Sequence, residues 1–248
     1  MQTLGKKSGT STPSVTVVIP CHNHEMYVER AVQSVLDQDY GNKRVVVVDD
    51  GSTDGSKQKI ESMSEELGID AIYNTFPTGP SAARNVAIQK FWNETDFFCM
   101  LDADDTYLPN KISMSVEIIK EDISNIGLVY ADVLIQNIEN NTQMLELRRP
   151  YSREEIEKEC IISNTPLINK KALDQVGLYD ESMRTAEDWD LWLRITSKFV
   201  AIHIPVPLST YSVTGFNASD TVPSEIWHKN WEKIRDRIRL QKESSQLT

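Results

Sequence analysis

The 248-residue sequence contains only three cysteines, Cys21, Cys99 and Cys160. They are odd in number and far apart, and no CxxC pair or Cys/His cluster accompanies them. That excludes a disulfide framework and a zinc site. Cys99 lies in an apolar run and is expected in the core, and the set as a whole fits a reducing compartment. Long apolar runs are also missing, so no membrane-spanning helix is expected. Residues 1–13 are polar and small, without the apolar stretch of a secretory signal, which sets the expectation of a cytoplasmic protein. Positive charge is scarce: 26 Lys and Arg face 37 Asp and Glu, for a net charge of −11. A general nucleic-acid binder would carry a basic footprint and is excluded. There is no GxxxxGK[ST] stretch and no GxGxxG after the first β-branched run, which removes the P-loop and ordinary dinucleotide-binding readings. Internal repeats, low-complexity tracts and a linker are missing as well, so the two halves of the chain should share one body.

What remains is an ordinary globular composition, 40% hydrophobic and 25% charged, on a chain long enough for one good-sized α/β domain. Residues 15–19 form a short β-branched run closed by Pro20, which reads as a buried strand. Over 25–38 the apolar residues Val28, Ala31, Val32, Val35 and Leu36 recur at helical spacing, and 44–48 is a second β-branched run. Strand, helix and strand at this spacing make a βαβ unit. The alternation continues with a helix over 55–67, a strand over 70–73, a helix over 81–91 and a strand over 97–101. It calls for a mostly parallel sheet with helices on both faces. The second half is less regular: helix over 109–120, strand over 127–136, a short charged helix over 153–159, helical spacing over 187–195 and a strand over 200–204.

Three polar or acidic clusters fall at expected strand ends: Pro20-Cys21-His22-Asn23, Asp49-Asp50-Gly51-Ser52 and Asp102-Ala103-Asp104-Asp105. Ligands of open parallel sheets gather at those ends. One such cluster is commonplace, because Asp also caps helices and closes turns, and Asp54 fits a cap. Three on neighbouring strands form an acidic rim. Asp50, Asp102, Asp104 and Asp105 repel one another unless a cation lies among them. Oxygen ligands with no His or Cys nearby favour Mg²⁺ or Mn²⁺ over zinc.

The segments VTVVIPCHNHEMYVERAVQSVLDQ, VVVVDDGSTDGS, GPSAARNVAI, FFCMLDADD and AEDWDLWLRI follow one another in the order seen in family 2 glycosyltransferases. The chain resembles that inverting family over residues 14–219. The resemblance implies a GT-A type α/β fold, with a Rossmann-like nucleotide half over 14–105 fused to an acceptor half over 106–219. Residues 1–13 would then be a flexible tail, and 220–248 an amphipathic helix and tail. It implies transfer of a sugar from a nucleotide diphosphate, UDP above all, to an acceptor hydroxyl of a glycan or lipid-linked partner, in polysaccharide or glycoconjugate synthesis. Residue by residue, it places Pro20, His22, Asn23 and Asp50 at the nucleotide, with Asp50 at the base edge and His22 stacking on the base. Asp102-Ala103-Asp104 matches the DxD motif, with Asp104 on Mn²⁺ or Mg²⁺ and Asp102 at the ribose or a metal-bound water. Asp105 is a spare ligand or a helix cap. Arg84 and Asn85 brace the site or touch the donor, the plainer reading being the start of a structural helix.

Glu187-Asp188 matches the ED pair, with Asp188 as general base and Glu187 orienting base or acceptor beside it. The plainer reading of that pair is a solvated helix N-terminus. Trp189 and Trp192 shape the acceptor pocket or belong to the core. The chain departs from the family at one place: relatives often carry a histidine after the last strand, in a pattern like YRxHxxxxS, and Thr214 stands there. A contact from that position is not carried over, and Tyr211 or another group would have to replace it.

Over 225–240, Trp227, Trp231, Ile234 and Ile238 share one helical stripe, with Lys229, Lys233, Arg235, Arg237 and Arg239 on the other faces. The stripe would pack on the domain or on a second copy in a homodimer. Otherwise the helix would rest on an anionic membrane at its inner face. Two further functional classes stay in view. One is a non-catalytic sugar-nucleotide or glycan-binding protein on the same fold. The other is a nucleotidyltransferase, which would need a basic loop around a triphosphate that the first loop does not offer.

Overall fold

The computed structural model describes residues 12–215, 217 and 221–245. The expected tail therefore lies outside the described residues for 1–11, as do 216, 218–220 and 246–248. The strands are β1 (Val15–Cys21), β2 (Lys43–Asp50), β3 (Asp70–Asn74), β4 (Phe97–Met100), β5 (Thr106–Tyr107), β6 (Ile126–Asn137), β7 (Thr142–Glu146), β8 (Leu167–Asn169) and β9 (Val200–Val213). The helices are α1 (Val28–Leu36), α2 (Ser56–Leu67), α3 (Pro80–Lys90), α4 (Lys111–Glu121), α5 (Arg153–Ile156), α6 (Lys170–Val176), α7 (Glu187–Ile195) and α8 (Ser224–Ser245).

One nine-stranded sheet runs through both halves in the order β3-β2-β1-β4-β8-β6-β9-β5, with β7 paired to β6. The four N-terminal strands are parallel, and so are β6 and β9, while β8 enters antiparallel between β4 and β6. Period-two alternation splits the core into two layers. Val17, Ile19, Val45, Val47, Phe97 and Cys99 face one layer with α1, α2 and α4. Val18, Val46, Val48, Phe98 and Met100 face the other, with α3, α6, α7 and α8. Helices on both faces leave the carboxyl ends of β1, β2 and β4 as the open rim.

The second half departs from the sequence expectation in three ways. β5 and β8 are strands of two and three residues, too short for a period to declare itself, and the five-residue β7 is mostly exposed and offers no apolar alternation. β9 extends to Val213 instead of stopping at 204, because it bulges where Pro205 and Pro207 withhold their N–H groups; the pairing with β6 shifts register between Ala131 and Val133. On α8, Ile234 and Ile238 are buried and Trp227 is half-buried against the same layer, but Trp231 is 41% exposed. The inward row is Trp227, Asn230, Ile234 and Ile238, so the polar Asn230 occupies the place the stripe assigned to Trp231. Among the described residues no helix is long and apolar enough to cross a membrane.

Candidate active site

β1 delivers its loop to the rim from Pro20, which is paired with Val48 of β2. His22 Nδ1 donates to the Asp50 carbonyl at 2.8 Å, leaving the ring exposed to solvent. Asn23 adopts φ +57 and ties the first two loops together. Its N–H donates to Ser52 Oγ at 3.0 Å, and its Oδ1 accepts from the Thr53 N–H at 2.8 Å. Asp54 accepts from the N–H groups of Glu25 and Ser56, close to the cap expected of it.

Asp50, expected at the base edge, is held by donors of the protein itself. Its carboxylate accepts from Asn74 Nδ2 (2.8 Å), the Thr78 N–H (2.9 Å) and hydroxyl (2.7 Å) and the Gly79 N–H (2.7 Å). Burial pushes this carboxyl up, but those donors outweigh it and hold the pKa below the ordinary value. Asp50 therefore organises the loop between β3 and α3. Gly51, at φ +65, lets that loop come close: a Cβ there would lie 2.8 Å from the backbone of Phe76 and Pro77.

Arg84 faces two protein carboxylates. It is 6% exposed, and it donates to Glu187 Oε1 at 2.7 Å and to Asp102 Oδ1 at 2.6 Å. Burial opposes its charge, yet the two carboxylates raise its pKa further. It thus joins the two acidic motifs from between them. Asn85 caps the same end of the site, accepting from the Tyr179 N–H and donating to the Tyr179 carbonyl.

The three carboxylates after β4 fare differently. Asp102 is held by Arg84 and by Asn164 Nδ2 at 3.1 Å. Asp105 accepts from the Ser212 N–H at 2.8 Å and from Asn164 at 3.2 Å, so it braces β9 and is no helix cap. Burial first, then the charges of Asp104 and Asp102, push its pKa well above the ordinary value. Asp104 is 6% exposed and has only looser side-chain neighbours among the described residues: Asn217 Nδ2 at 3.4 Å and His24 Nε2 at 3.8 Å. Its carbonyl is pinned by Arg30, which also reaches Ser212 Oγ. Asp104 is therefore the member of the DxD motif whose oxygens are least engaged by protein donors among the described residues, and a buried carboxylate of this kind suits a hard divalent ion. Among the described residues no three His, Cys, Asp or Glu side chains converge as a complete metal site.

On the far side of Arg84 stands the ED pair. α7 starts after Ala186, which is held at φ +55. A non-glycine residue there costs about 1–2 kcal/mol. Glu187 is turned to Arg84, whereas the half-buried Asp188 accepts only from the adjacent Trp189 N–H, at 2.7 Å, among the described residues. Burial, then the neighbouring Glu187 charge, pushes the Asp188 carboxyl up to about 6. Trp189 is half-buried, its indole N–H donating to the Ile156 carbonyl at 2.6 Å, and Trp192 is a core residue with no exposure. Thr214 donates from its N–H to Asn217 Oδ1 at 2.9 Å, which sets Asn217 beside Asp104.

Sequence reasoning overlooked His24, Arg30, Asn164 and Asn217. His24 had a visible signal, the repeated imidazole of His22-Asn23-His24, and it corrects the expectation that no His lies near the carboxylates. Asn164 had none, because it sits in an irregular stretch 62 residues from Asp102.

The chain is similar to an uncharacterized glycosyltransferase of Rickettsia typhi, 30% identical over 205 residues that cover 78% of this chain and 63% of the relative. A Rickettsia bellii homologue is 27% identical over 85% of this chain, which spans only 30% of that protein. The UDP-Glc:alpha-D-GlcNAc-diphosphoundecaprenol beta-1,3-glucosyltransferase WfgD of Escherichia coli is 25% identical, with 90% of this chain and 85% of the relative covered. In three dimensions the chain is similar to S. aureus TarS 1-349 in complex with UDP-GlcNAc, with a TM-score of 0.73 at 20% identity over 92% of this chain and 66% of the other. The mannosyltransferase PcManGT from Pyrobaculum calidifontis, in complex with GDP-Man and Mn²⁺, gives 0.65 at 20% identity over 84% and 59%. The fold is of the GT-A type that the sequence resemblance implied. The family model for glycosyl transferase family 2 matches residues 16–176, and the chain belongs to that family.

Proposed function

We propose that the chain is an inverting, metal-dependent glycosyltransferase that moves a sugar from a nucleotide diphosphate, UDP as the expected carrier, to an acceptor hydroxyl in polysaccharide or glycoconjugate synthesis. The observation that carries this reading is the pair of under-coordinated carboxylates, Asp104 and Asp188, in the two motifs that Arg84 bridges through Asp102 and Glu187, while Asp50, Asp102, Asp105 and Glu187 are each held by protein donors. A carboxyl raised to about 6, with the adjacent Trp189 N–H as its one donor among the described residues, favours a group that exchanges protons over a pure binding site.

Asp188 takes the proton of the acceptor hydroxyl as its oxygen attacks the anomeric carbon, and the bond from that carbon to the diphosphate breaks on the opposite face. Attack opposite the leaving group inverts the anomeric centre. Arg84 holds Glu187, so that Asp188 alone accepts the proton. A Mn²⁺ or Mg²⁺ ion held through Asp104 would balance the charge developing on the departing diphosphate. The exposed His22 ring stacks on the base, and Pro20, Asn23 and Asp50 act on the nucleotide by shaping the loops around it. Arg84 and Asp102 set the floor under the sugar. Trp189 orders the segment that the acceptor meets, because it is bonded to α5. WfgD by name uses UDP-Glc and a lipid-linked acceptor, and TarS was solved with UDP-GlcNAc. Both support a UDP donor, and the name of WfgD supports a lipid-linked glycan acceptor.

Calorimetric titration of UDP, TDP and GDP with and without Mn²⁺ tests the donor half of the reading. Metal-dependent binding of UDP is expected, and no metal-dependent binding of any of the three would overturn it.

A further inference from the structure

His24 faces Asp104 at 3.8 Å, beyond hydrogen-bond reach and within ion-pair range if the ring is protonated. Its Nδ1 lies 2.8 Å from the His22 carbonyl. A carbonyl oxygen only accepts, so Nδ1 carries a proton and donates it. In the neutral ring Nε2 is then the bare nitrogen, and it points at Asp104 Oδ2 from 3.8 Å. Two lone-pair atoms brought face to face repel unless positive charge lies between them, supplied either by a proton on Nε2, which makes an ion pair with Asp104, or by a metal cation. The separation is too long for a shared proton. It is within the span that two ligands of one cation, each about 2.1 Å from it, can bridge. A ring whose far nitrogen is fixed by a backbone carbonyl is the usual arrangement of a metal-binding imidazole.

Both partners are also held in place. The His24 N–H donates to Ser56 Oγ at 2.9 Å, and the Asp104 carbonyl is fixed by Arg30 at 2.7 Å. The His24 side chain retains 27% exposure against 9% for Asp104, so the gap opens toward the rim where a diphosphate would complete the shell. The histidine that relatives carry after the last strand is replaced here by Thr214, and among the described residues that segment brings an amide, Asn217, to Asp104.

We propose that His24 is a direct ligand, through Nε2, of the divalent cation held by Asp104, so that the loop after β1 supplies an imidazole to the metal–diphosphate site. The inference rests on the metal-assisted nucleotide reading above. A mixed oxygen–nitrogen set selects Mn²⁺ over Mg²⁺, because imidazole suits transition metals and adds little for magnesium.

The test is electron spin echo envelope modulation of Mn²⁺ added with UDP to the full chain. Modulation from a directly bound imidazole nitrogen is expected in the parent and in His22→Ala, and is lost in His24→Ala. By calorimetry, His24→Ala and His24→Asn should weaken Mn²⁺-supported UDP binding by about 10–100-fold. Both should leave metal-free UDP binding unchanged and narrow the preference for Mn²⁺ over Mg²⁺. Metal-dependent UDP binding without nitrogen modulation in the parent would overturn the role of His24 alone and leave the transferase reading standing. Absence of metal-dependent nucleotide binding in the parent would overturn both. The spectroscopic measurement on the parent needs no variant to fold.

Discussion

At the scale of single residues, the outcome turns on which carboxylates the protein satisfies by itself. Asp188 has one local N–H and a carboxyl pushed up to about 6, so it is poised to exchange a proton near neutrality. Asp188→Asn should retain UDP binding and lower kcat by about 10²–10⁴-fold, the usual contribution of a general base. A parallel loss of binding would indicate a structural residue instead. In the parent, kcat/KM should fall on the acid side as pH drops through about 6. The same group carries a stability signature of opposite sense. Its folded pKa lies above the ordinary value, so ionising it disfavours the folded state, and its contribution is best at low pH and worsens as pH rises through the folded value. Asp188→Asn should therefore be more stable than the parent at pH 8, on the order of 1–2 kcal/mol given its partial exposure, with the gap closing below about pH 4. Urea melts at the two pH values read both the sign and the size.

At the scale of elements, the rim depends on loops pinned to one another. The loop between β3 and α3 hangs on Asp50 and lies against Gly51. Gly51→Ala would place a methyl 2.8 Å from the Phe76 and Pro77 backbone, at a φ that only glycine adopts freely. It should weaken UDP binding at least tenfold and lower stability by about 1–3 kcal/mol, the range for overpacking against backbone. Unchanged nucleotide affinity would show that this loop does not line the donor site. Element boundaries were readable wherever a period had room to repeat. The helices at α1 and α7 and the strands β1, β2 and β4 emerged within a few residues of their observed ends. β5 and β8, at two and three residues, are strands only because longer neighbours pair with them.

At the scale of the whole molecule, α8 braces the turn that leads into the ED pair. Buried Asn230 donates to the Thr185 carbonyl and hydroxyl, both at 2.9 Å, directly ahead of Ala186 and the ED pair. Arg237 pairs with Asp190 inside α7, and Ile234 is 1% exposed. Asn230→Ala should reduce kcat while sparing UDP affinity, and Ile234→Ala should cost about 2–5 kcal/mol. Trp231→Ala, at an exposed position, should leave both stability and turnover nearly unchanged. Equal effects of all three in a melting and turnover comparison would refute the brace.

By itself, the sequence determined the alternating fold of the first half, the acidic rim and the family. Those rest on short-range periodicity and on motifs whose residues are adjacent in the chain. Only the tertiary structure decided which acid is free. Arg84 and Glu187 are 103 residues apart, Asn164 and Asp102 are 62, and Arg30 and Ser212 are 182. Side-chain hydrogen bonds over such separations follow from how the sheet brings strand ends together, and no local pattern encodes them. The same holds for His24 and for Asn230, ordinary polar residues in the sequence whose meaning comes from what the fold sets opposite them.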